Sequence, residues 1–328
     1  MASMTKKDRV RAALAGKPVD HAPASLWGHD YLREWSPRDL ADATLEQYRA
    51  YDWDFIKLNP RATYFAEAWG NTYRPSGAQR RPDQLSILIA DAGALDRVRP
   101  IDPAAGVFAE HLEALRLVLD GAGGEADVIH TIFSPLSVVA LLCGPRTEFI
   151  ELSRANPAGA HAALAAATET LAAYARNALA TGAAGIFYAP LAWASRDTCT
   201  EEFYREFGRP YDLQVLAAIK GADFNVLHVC RNRNMIDLLL DYPVAAFNWA
   251  DRGEGNHALA EVKARTSGAV MGGVDQVGLA TMTAAEVSAQ VRDALSGGSQ
   301  RVLITAGCSI PPETPPANRT AVAAAARA

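Results

Sequence analysis

Cysteine is scarce in this chain, and what little there is lies far apart. Cys143, Cys199, Cys230 and Cys308 are the only four in 328 residues, too few and too scattered for a disulfide framework. Metal binding, reactivity or plain burial has to account for them. A basic field is also missing: the net charge is −5, with lysines and arginines dispersed along the chain, which argues against nucleic acid or anionic lipid as a partner. No apolar run approaches the length of a membrane span, and "MASMTKKDRVRAALAGKP" lacks the apolar centre of a secretory signal, so a cytoplasmic protein without a membrane partner is expected. There is no phosphate loop and no G-x-S-x-G elbow. "GAGGEA" at 121–126 precedes a strand-like run rather than following one, and "GGVDQVG" at 272–278 has the wrong glycine spacing for a dinucleotide fold. Small-molecule chemistry is what these absences leave.

With 49% hydrophobic residues the chain can bury a large core. Short apolar runs read as strands near 24–29, 53–58, 127–133, 184–189, 223–230, 244–249, 269–274 and 301–306, with helical segments such as 106–120, 159–181, 201–220, 232–240, 256–266 and 283–295 between them. Strands that are apolar on both faces and alternate with helices pair in parallel. Eight such units predict an α/β fold of the (β/α)8 TIM-barrel type as a single domain over 1–328, with an open doubly wound sheet as the competitor. A helix over 5–15 precedes the first strand, opened by Thr5 and closed at Gly16. The stretch 59–105 is too long for an ordinary connection, and reads as an excursion over the barrel mouth or an inserted hairpin.

"FNVLHVC" ends the fifth strand with His228 and Cys230. Residues two apart on a strand share a face, so both point the same way at the C-terminal end, where such barrels gather their chemistry. Taken alone, H-x-C is short and common, and a buried strand cysteine beside a hydrogen-bonded core histidine explains it as well. Cys308, just past the last strand in "LITAGCSIPPETP", makes a metal the rival explanation, because the ends of strands five and eight meet at one mouth. One imidazole and two thiols with an open fourth position describe a catalytic zinc, suited to binding a thiol and holding it as a nucleophilic thiolate. Polar residues at the other strand ends, His29, Asn59, Tyr188, Asn248 and Asp275, are candidate substrate contacts as a ring, although each alone reads as a cap or loop residue. Cys143 and Cys199 read as ordinary helix-associated cysteines.

Three stretches together resemble the uroporphyrinogen decarboxylase superfamily: "KKDRVRAALAGKPVDHAP", "FSPLSVVALLCG" and "GCSIPPETPPANRTAV". The resemblance implies a (β/α)8 barrel. The tetrapyrrole decarboxylases of that superfamily carry an Arg-Gln-Ala-Gly-Arg-Tyr run after strand one and an aspartate after strand two. The corresponding places here read "LWGHDYLREW" and "KLNPRAT". Its corrinoid-dependent methyltransferases, which pass a methyl group to a thiol such as coenzyme M, hold zinc through His-x-Cys and a later Cys, matched by His228, Cys230 and Cys308. That branch implies zinc, a thiol or similar acceptor, and a corrinoid (cobalamin) brought by a separate protein, since no Asp-x-His-x-x-Gly signature is present. It also implies a homodimer. Arg231 departs from the glycine that usually follows the H-x-C. The rival expectations are a cofactor-free decarboxylase of a tetrapyrrole or small carboxylic acid, and a non-catalytic barrel that binds a corrinoid or tetrapyrrole.

Overall fold

The computed structural model describes residues 3–144 and 148–328. Nine strands form within them: β1 Phe55–Leu58, β2 Thr72–Arg74, β3 Asp83–Ser86, β4 Asp127–Phe133, β5 Gly185–Leu191, β6 Val226–Val229, β7 Ala246–Trp249, β8 Ala269–Val274 and β9 Val302–Ala306. Seven of them make one parallel sheet in the order β1-β4-β5-β6-β7-β8-β9, so neighbours in the chain are neighbours in space, as a wound barrel requires. Residues 23–28 fill the gap between β9 and β1 as extended chain with isolated bridges. Ser25 N donates to Ile304 O (3.1 Å), Ile304 N to Pro23 O (2.8 Å) and Asp54 N to Ala24 O (2.9 Å). The predicted strand at 24–29 is thus a closing segment with few ladder bonds. One reason is that Pro23 has no N–H to give. Another is that the Ser25 hydroxyl, donating to Phe55 O at 2.8 Å, replaces a backbone contact.

Side-chain parity sorts the sheet into an inner and an outer face. Phe55, Ile129, Phe187, Val226, Ala246, Ala269, Met271 and Leu303 share one cluster with Val10, Ala13 and Val19, so the helix Lys6–Leu14 plugs the N-terminal end of the barrel. The next inward layer toward the mouth is polar: Asn59, His228 and Asn248, with Thr305. Residues of the other parity, such as Ile56, Val128, Ile186 and Leu227, pack under the surrounding helices.

Tyr188 belongs to that outer set, and this corrects its assignment as a mouth residue. Its neighbour Phe187 takes the inward position, and one step along a strand reverses the face. The Tyr188 hydroxyl donates to Asp212 Oδ1 at 2.6 Å, and Tyr204 and Tyr242 donate to Oδ2 at 2.6 and 2.8 Å. Burial lifts the Asp212 carboxyl from 3.8 to about 6 against these three donors. The folded chain therefore holds this proton more tightly than the unfolded chain. The resulting stabilisation is complete below about pH 3.8 and is lost as pH rises through about 6. Asp212→Ala orphans three buried hydroxyls and is expected to cost about 3 kcal/mol or more in chemical denaturation. Asp212→Asn should flatten stability across that pH window, and a curve that still falls there would contradict the assignment.

The helix Pro37–Tyr51 has no counterpart among the predicted segments. Ser36 caps it by accepting from Asp39 N at 3.0 Å, and Pro37 starts it with a preset φ. Its apolar face, Leu40, Ala41, Leu45 and Tyr48, packs on the helix Gly106–Ala122, where a Cβ on Gly121 would lie 2.2 Å from Leu45 Cδ1. The predicted helix at 201–220 is two helices, Glu201–Phe207 and Arg209–Ala217, broken at Gly208 two residues before Pro210. Segment 59–105 carries a short helix, Tyr64–Ala68, the antiparallel pair β2/β3 and a 3₁₀ turn. In the loop of that pair, Gln79 accepts from Tyr31 N at 3.1 Å and donates to Asp30 at 2.8 Å. No helix among the described residues is long and apolar enough to cross a membrane.

Candidate metal centre

His228 lies on the inner face of β6, opposite Asn248 on β7 in the parallel register. Its Nδ1 meets Asn248 Oδ1 at 2.5 Å. The Asn248 amide nitrogen donates to Met271 O at 3.0 Å, Ala306 O at 3.2 Å and Thr305 Oγ1 at 3.2 Å, so Oδ1 has to be the acceptor turned toward the imidazole. That bond keeps the proton on Nδ1 and leaves the Nε2 lone pair free. Phe187 stacks on the ring with centroids 4.9 Å apart. The imidazole is fixed in both tautomer and plane before any ligand arrives.

Cys230 follows β6 by one residue and is buried; Cys308 follows β9 by two and is half-buried. Cys308 Sγ lies 3.6 Å from His228 Nε2. The donor atoms of His228, Cys230 and Cys308 all lie within 4.8 Å of one another. Across a tetrahedral zinc with ordinary bond lengths, nitrogen and sulfur stand about 3.6 Å apart, so the donor set fits such an ion without rearrangement of this pair. Hydrogen bonding with Cys230, then the nearby His228 imidazole, hold the Cys308 thiol well below the usual thiol range despite its burial. Cys143 and Cys199 behave oppositely. Burial pushes both up to about 12, and their thiols donate to Val139 O and Trp193 O. Gly307 makes the approach of Cys308 possible, since a Cβ there would sit 2.5 Å from Ala250 Cα and 2.8 Å from Trp249 O.

The other predicted contacts divide. Asn59 is close to the site: its Oδ1 accepts from Lys57 Nζ and from Ser309 Oγ (3.3 Å), and its Nδ2 donates to Gly28 O at 3.1 Å. His29 pairs with Glu34 at 2.8 Å, stacks on Tyr31, and lines with Trp27, Lys57, Asn59 and Ile310 a cavity of about 180 Å³. Asp275 accepts from Val277 N at 2.9 Å and so caps the turn after β8, the bland reading of a strand-end aspartate. Sequence reasoning passed over Lys57 and Phe187. Lys57 shares the face of Asn59 two positions earlier, and that parity was the available signal.

Arg231 keeps a glycine-like backbone at φ +77°, and Arg233 follows at +43°. Asn256 and Asn234 pin the turn by donating to Arg231 O at 2.8 and 3.4 Å. Left-handed backbone costs a side-chain-bearing residue roughly 1 kcal/mol. Arg231→Gly should therefore fold at least as stably, gaining up to about 1 kcal/mol in chemical denaturation. A loss of stability would show that the arginine side chain holds the loop.

The sequence profile described as Uroporphyrinogen decarboxylase (URO-D) matches residues 5–328. Among curated proteins, the methylcobamide:CoM methyltransferase MtbA of Methanosarcina mazei is 24% identical, over 97% of this chain and 96% of its own length. The methylcobamide:CoM methyltransferase MtaA of Methanosarcina barkeri is 25% identical, over 99% and 98%. Among solved structures, a methyltransferase from Methanosarcina mazei superposes with a TM-score of 0.82 at 22% identity, covering 98% of both chains. A B12-independent methionine synthase from Shewanella reaches 0.59 at 14% identity, over 94% of this chain and 93% of that one. These structural likenesses speak to the fold.

Proposed function

The chain belongs to the uroporphyrinogen decarboxylase family, and from that premise we propose that it is a methyltransferase whose zinc, held by His228, Cys230 and Cys308, receives a thiol that takes a methyl group from a corrinoid. The relatives named as methylcobamide:CoM methyltransferases, which align over nearly the whole chain, support the methyl-transfer part. The observation that carries the metal part is the convergence of one imidazole nitrogen and two thiols from the ends of β6 and β9 within 4.8 Å. Zinc, when bound, would supply the acidity that keeps a thiol ionised at neutral pH.

The chain's own residues do the rest. Asn248 orients His228, whose neutral Nε2 is one donor. Cys308, already biased toward thiolate by Cys230, is a donor that needs little cost in deprotonation. Phe187, stacked on His228 and edge-on to Trp27, gives the site an aromatic wall. In the transfer itself the acceptor sulfur forms a bond to the methyl carbon, and the electron pair of the methyl–cobalt bond remains on cobalt. His29 and Asn59 are the proposed acceptor contacts. The corrinoid comes on a separate protein, and the working unit is residues 1–328 as one domain, in the cytoplasm, as a homodimer.

Two assays test this reading together. Purified protein should contain about one zinc per chain and convert thiols to methyl thioethers with methylcobalamin as donor. Protein without zinc, or zinc protein that methylates no thiol in a broad panel, contradicts it. Turnover of uroporphyrinogen by metal-stripped protein would instead favour decarboxylation.

A further inference from the structure

Lys57 is a buried cation on the inner face of β1, 5% exposed. Its ammonium donates to Asn59 Oδ1 and lies 4.7 Å from the centre of the Phe187 ring and 5.5 Å from that of Trp27. Phe187 is the same ring that stacks on His228. Among the described residues no carboxylate pairs with Lys57. The Asn59 amide and Ser25, which line the same cavity as Lys57, are neutral. His130, on the outer face of β4, is held neutral by burial, which pulls it down to about 3.

Burying an ammonium without a carboxylate partner strips it of hydration that two aromatic faces and one amide oxygen replace only in part. Lys57 is tied to the donor set through two neighbours: Asn59 Oδ1 accepts from both Lys57 Nζ and the hydroxyl of Ser309, next to Cys308, and Phe187 packs on both Lys57 and His228. One neutral imidazole and two thiolates neutralise a divalent ion, so a third thiolate adds one net negative charge to a water-poor site. Resting on the reading proposed above, we infer that Lys57 is the positioning residue that balances this charge, and thereby makes the site select an ionised acceptor thiol over its uncharged methylated product. Burial pulls the ammonium down to about 7. An incoming thiolate acts against that pull, and so favours the charged amine it needs.

The experiment is binding of a small neutral thiol, 2-mercaptoethanol, and of its S-methyl thioether to zinc-loaded protein by calorimetry at pH 7. Lys57→Met keeps the length and apolar contacts of the side chain and removes the charge. The variant should retain about one zinc per chain and bind the thiol at least roughly tenfold more weakly, the equivalent of one unit of thiol ionisation. Thioether affinity should stay within about twofold, and raising the pH should restore thiol binding in the variant. Asn59→Asp, which gives Lys57 an internal carboxylate partner, should weaken thiol binding in the same direction without removing the lysine. Unchanged discrimination in both variants, or equal weakening of thiol and thioether, overturns the inference while leaving the zinc-thiol reading intact. Wild-type protein that loads zinc but binds no thiol overturns that reading and the inference with it.

Discussion

Cys308→Ala is expected to lower zinc from about one per chain to below about a tenth, and to abolish methyl transfer to thiols. The substitution leaves one imidazole and one thiol, and a two-donor remnant holds zinc far less tightly than a three-donor site whose ligands are already in place. The fold should survive, because Cys308 is half-buried in the loop after β9 and its side chain meets the other two donors, His228 and Cys230. Cys143→Ala is the matched control. That thiol sits beside the helix Pro135–Leu142 with its pKa pushed up to about 12, and its loss should leave zinc content unchanged. Metal analysis of the two variants after identical purification decides the point. Full zinc in the Cys308 variant would remove this residue from the donor set.

Asn248→Ala carries the second large effect, and it acts without touching the metal donors. The amide fixes the Nδ1 proton of His228 and is itself held by two carbonyls and the Thr305 hydroxyl. Outer partners of this kind typically govern metal affinity by about 10- to 100-fold. Competition with a chelator of known zinc affinity should show a weakening in that range, with a loss of roughly 1–3 kcal/mol in stability from the orphaned carbonyls. Thr305→Val removes one of the four contacts, leaving the bond to His228 and both carbonyls, and should leave zinc affinity within about twofold. Equal zinc affinity in Asn248→Ala and wild type would mean that packing on Phe187 alone orients the imidazole.

The positions of the three donors were legible because a strand has a period of two and the last strand of a barrel returns to the first. His228 and Cys230 share a face by that arithmetic, and Cys308 lies close to them because β9 ends at the mouth where β6 ends. The same arithmetic placed Tyr188 wrongly by one residue. "GIFYAP" offers two aromatic neighbours, and only the register of β5 against β6 decides that Phe187 turns inward and Tyr188 out to Asp212. Lys57 escaped notice because a charged residue in "FIKL" looks like a solvated position until its neighbours are known. The helix Pro37–Tyr51 was missed for a different reason: its apolar face is only four residues, and the signal lies in the Ser36-Pro37 cap. The closing segment at 23–28 reads as a strand in sequence, but Pro23 has no N–H to give and the Ser25 side chain takes the place of a backbone bond to Phe55 O.

X-ray absorption at the zinc edge, on protein purified without added metal, reaches the central claim most directly. The expected spectrum contains one nitrogen at about 2.0–2.1 Å and two sulfurs at about 2.3 Å, with a third sulfur on addition of an acceptor thiol. A zinc shell made of oxygen and nitrogen alone, or no zinc edge at all, would contradict it.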